Sequence, residues 1–188
     1  LVEMAPESTV WREELGETLY ELGHRDDALQ EWMLIADGPR RTTPNLTQLS
    51  EILERFSESV AAVKAMQQAC ELEPHLSDRI RLARLLRRTG QLDAGYEQLD
   101  LAAAQAVSLA DQHIINEARR DAWKHDPALH QRAAQLRVRL EQDEGSAADY
   151  YKLALIYQSD QKYDNAVASV ERSTKADAPS ELAWQAAA

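Results

Sequence analysis

Apolar residues recur along this chain at intervals of three and four, the spacing that lines one face of an α-helix. Alternation at every second residue, the mark of a half-buried strand, is almost absent. The first such run covers 9–22, with Trp11, Leu15, Leu19 and Leu22 on one stripe, a Ser8 or Thr9 cap, and Gly23 to end it in a left-handed turn. Asp26 and Asp27 suit the positive start of a second helix that carries Ala28, Leu29, Trp32 and Ile35 and stops near Gly38-Pro39. Gly16 sits inside the first helix, where glycine costs about 1 kcal/mol relative to alanine; its presence there suggests a close crossing by the second helix.

The pattern then repeats. A helix with Leu46, Leu49, Ile52, Leu53 and Phe56 is paired with one carrying Val60, Ala62, Val63, Met66 and Ala69. A third pair places Ile80, Leu82, Ala83, Leu85 and Leu86 before Gly90, and Leu92, Gly95, Leu99 and Ala102 after it. The fourth is irregular, with Leu109, Ile114, Ala118 and Ala122 before a break at Asp126-Pro127, then Leu129, Ala133, Leu136 and Leu140. A fifth carries Tyr150, Leu153, Ala154 and Tyr157, then Tyr163, Ala166, Val167 and Val170. Ala28, Ala62, Gly95 and Ala166 fall in phase at a period near 34 residues.

This period, with two helices in each, resembles the tetratricopeptide repeat family. The residues that carry the resemblance are Leu15, Gly16, Leu19, Gly23, Ala28 and Trp32; Ala69 and Pro74; Leu82, Ala83, Leu86 and Gly90; and Tyr150, Leu153, Ala154, Tyr157, Tyr163 and Ala166. Ser50 and Ser57 depart from it, standing where a small residue and a glycine are usual. The resemblance implies an all-α fold, a right-handed α-solenoid superhelix of antiparallel helix hairpins. It divides the chain into the tail of a preceding repeat at 1–8, repeats at 9–42, 43–76, 77–107, 108–145 and 146–179, and the start of a further repeat or a capping helix at 180–188. The chain is read as an excised section of a longer protein, and its open ends are expected to stack end to end in a weak dimer.

The resemblance also implies a function. First helices of such arrays line a concave groove that holds an extended or helical peptide. Helical spacing independently places a set of residues off the core stripe: Glu13, Glu17, Tyr20 and Glu21 in the first repeat; Thr47, Glu51, Glu54 and Arg55 in the second; Arg81, Arg84, Arg87 and Arg88 in the third; Tyr151, Leu155 and Gln158 in the fifth. Residues 1–58 hold 13 acids and 5 bases, whereas 79–139 hold 7 acids and 11 bases. These stripes either select a partner or serve solubility and contacts between neighbouring repeats. Family members that clamp a chaperone's C-terminal carboxylate use Lys, Asn and Arg where this chain has Glu13 and Glu17, which argues against that activity.

Composition narrows the classes further. The 188 residues carry a formal net charge of −11, which opposes general affinity for nucleic acids or anionic membranes. RNA binding through the basic helix at 79–88, which carries Arg79, Arg81, Arg84, Arg87 and Arg88, is the alternative to a protein-binding scaffold. His24, His75, His113, His125 and His130 are scattered and lack metal-ligand spacing. No phosphate loop or nucleophile motif occurs, so neither catalysis nor a cofactor or metal is expected. Cys70, the one cysteine, reads as a small buried apolar residue. It slightly favours a reducing cytoplasm for a soluble chain and leaves the periplasm open. No apolar run approaches the roughly 20 residues of a membrane span.

Overall fold

The computed structural model describes residues 8–142 and 146–175. Among these the chain is all-α, with ten α-helices: α1 (Thr9–Glu21), α2 (Arg25–Met33), α3 (Thr43–Arg55), α4 (Ser59–Leu72), α5 (Leu76–Arg88), α6 (Leu92–Gln105), α7 (Leu109–Lys124), α8 (Leu129–Glu141), α9 (Ala147–Ser159) and α10 (Tyr163–Lys175). Two short 3-10 turns, Leu34–Ala36 and Gly38–Arg40, follow α2. The chain divides into two compact units, with Gly95 the last residue of the first and Tyr96 the first of the second. Ser8 apart, the segments expected to belong to flanking repeats, 1–8 and 180–188, lie outside the described residues, as does the side chain of Tyr163.

Four of the turns between paired helices share one hydrogen-bond pattern. After α1 the Gly23 N–H donates to the Tyr20 carbonyl and the His24 N–H to the Leu19 carbonyl, which satisfies two carbonyls left over at the helix end. The same pair of bonds is made by Ser57 and Glu58 after α3, by Gly90 and Gln91 after α5, and by Gln161 and Lys162 after α9. In every copy the last of these residues then accepts the first bond of the next helix, from Ala28, Ala62, Gly95 and Ala166. The geometry requires positive φ, which is +85° at Gly23, +78° at Gly90, +64° at Ser57 and +60° at Gln161. Ser57 and Gln161 therefore accept a left-handed backbone that costs an L-residue on the order of 1–2 kcal/mol.

In unit 1 the helices meet where a small residue lets them cross. A Cβ at Gly16 would lie 2.1 Å from the indole nitrogen of Trp32, so glycine is what admits this tryptophan. The indole is fully buried and donates to the Glu13 carbonyl at 3.2 Å. One repeat on, fully buried Ser50 donates to the Ala62 carbonyl at 3.0 Å, and a Cβ at Gly95 would lie 3.1 Å from the Ala83 carbonyl. Trp32, Phe56 and Tyr20 form a cluster with ring centroids 4.7–5.7 Å apart, and the Tyr20 hydroxyl donates to the Phe56 carbonyl. This ties the first hairpin to the end of α3. The cluster continues into Leu46, Leu49, Leu53, Met66 and Leu86.

Unit 2 is built with more polar means. Ser108–Asp111 and Ser146–Asp149 form reciprocal capping boxes that start α7 and α9. Between α7 and α8 the buried Asp126 carboxylate replaces the glycine turn. It accepts from the Ala128 N–H at 2.8 Å, the Tyr96 hydroxyl at 2.9 Å and Arg132 Nε at 2.7 Å. The sequence pattern expected Leu109, Ile114 and Ala118 in the core of α7. Leu109 and Ile114 are exposed, and the helix buries Gln112, Ile115, Asn116, Arg119 and Trp123 instead. The inward stripe is largely polar, with Asn116 Nδ2 donating to the Tyr151 hydroxyl and Arg119 to Asp100, so the apolar pattern pointed to the wrong face. Leu22, Val60 and Val167, also expected in apolar stripes, are exposed. Leu22 is the C-terminal cap of α1, still right-handed, one residue before the left-handed Gly23.

Gly16→Ala is expected to destabilise unit 1 by about 1–2 kcal/mol in urea unfolding, because displacing a buried indole outweighs the gain in helix propensity. Ser57→Gly and Gln161→Gly are each expected to stabilise by about 0.5–1 kcal/mol, since they relieve a left-handed L-residue.

Candidate functional site

The charged stripes of unit 1 meet each other. Arg55 on α3 reaches Glu13 at 2.5 Å and Glu17 at 3.0 Å on α1. Glu13 also accepts from Gln48 at 3.0 Å. On the next helix, Arg81 pairs with Glu51 and, at 3.1 Å, with Glu54, which in turn pairs with Arg88. The first helices of three successive hairpins are thus laced by acid–base contacts. Most of these groups are partly exposed, and such pairs are worth about 0.2–1 kcal/mol each. Arg79 and Arg87 are also engaged, so 79–88 is not a bare cationic stripe. Arg84, Glu21 and Gln158 are exposed, and no ion pair joins them to another described residue.

Three residues expected off the core stripe belong to the packing. Tyr20 stacks on Trp32 and Phe56. Tyr151 and Leu155 are only 7% and 4% exposed. The Tyr151 hydroxyl accepts from Asn116 Nδ2 at 2.7 Å, and burial pushes its pKa up. The reason is the contact between α7 and α9: the face of α9 assigned to a groove packs on the polar stripe of α7.

Unit 2 contains a cavity of about 240 Å³ among α6, α7, α8 and α9. Buried Trp123 and Ile156, with Leu136, supply its apolar lining. Arg119, Arg132, Arg139 and Lys152 supply four cations, and Asp100 is the carboxylate among the lining residues. Asp100 accepts from Arg119 at 2.8 Å and from Lys152 at 2.6 Å. The Arg119 side chain is 7% exposed and that of Asp100 46%. Arg132 lies over the Tyr96 ring, 4.9 Å from its centroid, while its Nε is held by Asp126. Asp149 stands 3.7 Å from Arg139 and 4.0 Å from Lys152. Apolar groups and one buried guanidinium therefore lie inside, with partly exposed Arg132 and Lys152 and exposed Arg139 around them. Leu136 was expected in an apolar stripe and Asp126 at a break between helices, but none of these residues was a site candidate from sequence, because the cavity is assembled from four helices.

Other chemistry is sparse. Among the described residues no group of three or more His, Cys, Asp or Glu side chains is placed to hold a metal ion. Cys70 is buried, and desolvation pushes its thiol up to about 11, so it stays protonated at neutral pH. No helix among the described residues is long and apolar enough to cross a membrane.

The tetratricopeptide repeat profile matches residues 150–179, which include α9 and α10. Solved structures with a similar fold include MamA 41-end from Desulfovibrio magneticus RS-1, at 15% identity over 90% of this chain and 94% of that one, with a TM-score of 0.43. YrrB, described as a TPR protein with an unusual peptide-binding site, aligns at 13% identity over 99% and 95%, with a TM-score of 0.45. A tetratricopeptide repeat protein from Parabacteroides merdae ATCC 43184 aligns at 13% identity over 98% and 72%, with a TM-score of 0.47. No curated protein matches the sequence.

Asp126→Asn is expected to cost about 2–4 kcal/mol in urea unfolding, because it leaves Arg132 without its buried counter-ion and turns an amide donor toward groups that already donate. An unchanged unfolding midpoint would mean that Asp126 does not hold the cavity wall.

Proposed function

We propose that this chain, a member of the tetratricopeptide repeat family, is a non-enzymatic protein–protein interaction scaffold, and that unit 2 holds a segment of a protein partner at its cavity. The observation that carries this reading is the cavity itself, with apolar groups inside and cations around them. At about 240 Å³ it is smaller than the roughly 300–1,000 Å³ of small-molecule and cofactor sites. A side chain or two of a partner fits it better than a cofactor does. Among the described residues no His, Cys, Asp and Glu side chains cluster to hold a metal, and the Ser146–Asp149 pair serves as the capping box of α9, so the binding reading is the simpler one.

On this reading the glutamates and arginines of unit 1 serve their neighbours. Glu13, Glu17, Glu51, Glu54, Arg55, Arg81 and Arg88 hold successive hairpins in register across the faces of α1, α3 and α5. A partner approaching that face meets a largely neutralised ladder. The same pairing removes the support for reading 79–88 as an RNA-binding helix.

Site-specific photocrosslinking separates the surfaces. With benzoylphenylalanine replacing Gln135, an exposed residue of the cavity lining, the full chain is expected to form covalent adducts with a protein in extract of its source cells. The same group in place of Glu21 is expected to give few. Protein adducts confined to the Glu21 position, or adducts to RNA at both positions, would contradict the assignment.

A further inference from the structure

The chemistry of the cavity identifies the kind of segment it takes. We propose that it binds an acidic peptide segment carrying one apolar anchor residue, and that Asp100 is an internal stand-in for the peptide's carboxylate. This rests on the scaffold reading above.

Charge comes first. Three carboxylates stand near the four cations, and they are not equivalent. Asp126 is fully buried and already accepts from Tyr96, the Ala128 N–H and Arg132. Asp149 belongs to the capping box of α9, where it accepts from the Ser146 N–H and hydroxyl. Both are committed to the fold. Asp100 sits on α6, is nearly half exposed, and bridges Arg119 and Lys152 at 2.8 and 2.6 Å. Its position demonstrates that a carboxylate fits between these two cations. A guanidinium has five N–H donors and an ammonium three, so Arg119 and Lys152 have capacity beyond one carboxylate. Arg139 stands more than half exposed beside them, with its nearest carboxylate at 3.7 Å, beyond hydrogen-bond length. An incoming carboxylate can therefore join Asp100 or displace it.

The apolar part sets the second requirement. Trp123, Leu136 and Ile156 line the cavity beneath the cations, and its volume suits an aliphatic or aromatic side chain. This combination also favours a peptide over single-stranded RNA. Bases need an open aromatic face to stack on, whereas here Tyr96 is covered by Arg132 and Trp123 is 5% exposed. The chain as a whole is strongly acidic, so the attraction is local, acting within the roughly 8–10 Å over which salt leaves charges unscreened.

Fluorescence anisotropy with the full chain tests the proposal. The probe is a labelled short peptide in which glutamates flank a single leucine. Its controls carry glutamine for glutamate or serine for leucine, and a labelled oligouridylate represents RNA. The acidic leucine peptide is expected to bind, each control to bind at least about fivefold more weakly, and Arg139→Gln and Lys152→Gln each to weaken it about fivefold, the scale of one charge-assisted contact. Asp100→Asn, which retains a hydrogen-bond acceptor while removing the competing charge, is expected to tighten binding about threefold. Arg139 is exposed enough that its loss leaves the fold intact, which a thermal melt verifies. Equal binding of the glutamine peptide, tighter binding of the RNA, no saturation by about 1 mM peptide, or an Arg139→Gln variant that binds as well as the parent would each overturn the proposal. Protein adducts at position 135 combined with no acidic-peptide binding would leave the scaffold reading standing and remove this one.

Discussion

The close crossing of two helices, closed by a turn with a left-handed residue, is the constraint from which the rest of unit 1 follows. The turn's two hydrogen bonds fix where the second helix begins, down to the residue whose carbonyl receives its first bond. Once that is fixed, a small residue on the first helix must face the second. Gly16 lets a full indole into the space, and Ser50 uses its hydroxyl to satisfy a carbonyl at the same place one repeat later. The aromatic cluster and the acid–base ladder are consequences. They join hairpins whose internal geometry is already determined.

Unit 2 shows what happens when that constraint is relaxed. Where α7 meets α8 there is no left-handed turn, and a buried carboxylate takes over the closing role. The inward face of α7 is polar, so its burial depends on hydrogen bonds to Tyr151 and Asp100 rather than on apolar area alone. Such packing leaves room. The cavity forms here, among helices whose contacts are made by long charged side chains. The repeat that departs most from the pattern, with α6 and α9 beside it, is thus where the shaped, charged cavity lies.

Much of the fold was legible because the turn and the crossing leave local marks. Gly23, Gly90 and the small residues at Ala28, Ala62 and Ala166 repeat at fixed spacing, and that spacing alone revealed the hairpins. Ser57 and Gln161 carry no such mark; their left-handed backbone shows only when their place in the repeat is known. The stripe of α7 was misread because Leu109 and Ile114 out-signal Asn116 and Arg119, whose partners come from other helices. The cavity was invisible for the same reason. Asp100 and Lys152 are 52 residues apart, and each alone reads as an ordinary surface charge. The unit 1 charges were seen with two readings, partner selection or contacts between neighbouring repeats, since one helix at a time cannot show that the next helix supplies the opposite sign.

On the proposed reading the cavity among α6, α7, α8 and α9, and not the laced face of α1, α3 and α5, receives the partner. Amide chemical-shift mapping of the full chain during titration with the glutamate–leucine peptide tests it most directly. Shifts are expected to concentrate at Tyr96, Asp100, Trp123, Arg139 and Lys152, together with the indole N–H of Trp123. Shifts concentrated at Glu13, Glu51, Arg55 and Arg81, with the cavity residues unmoved, would contradict it.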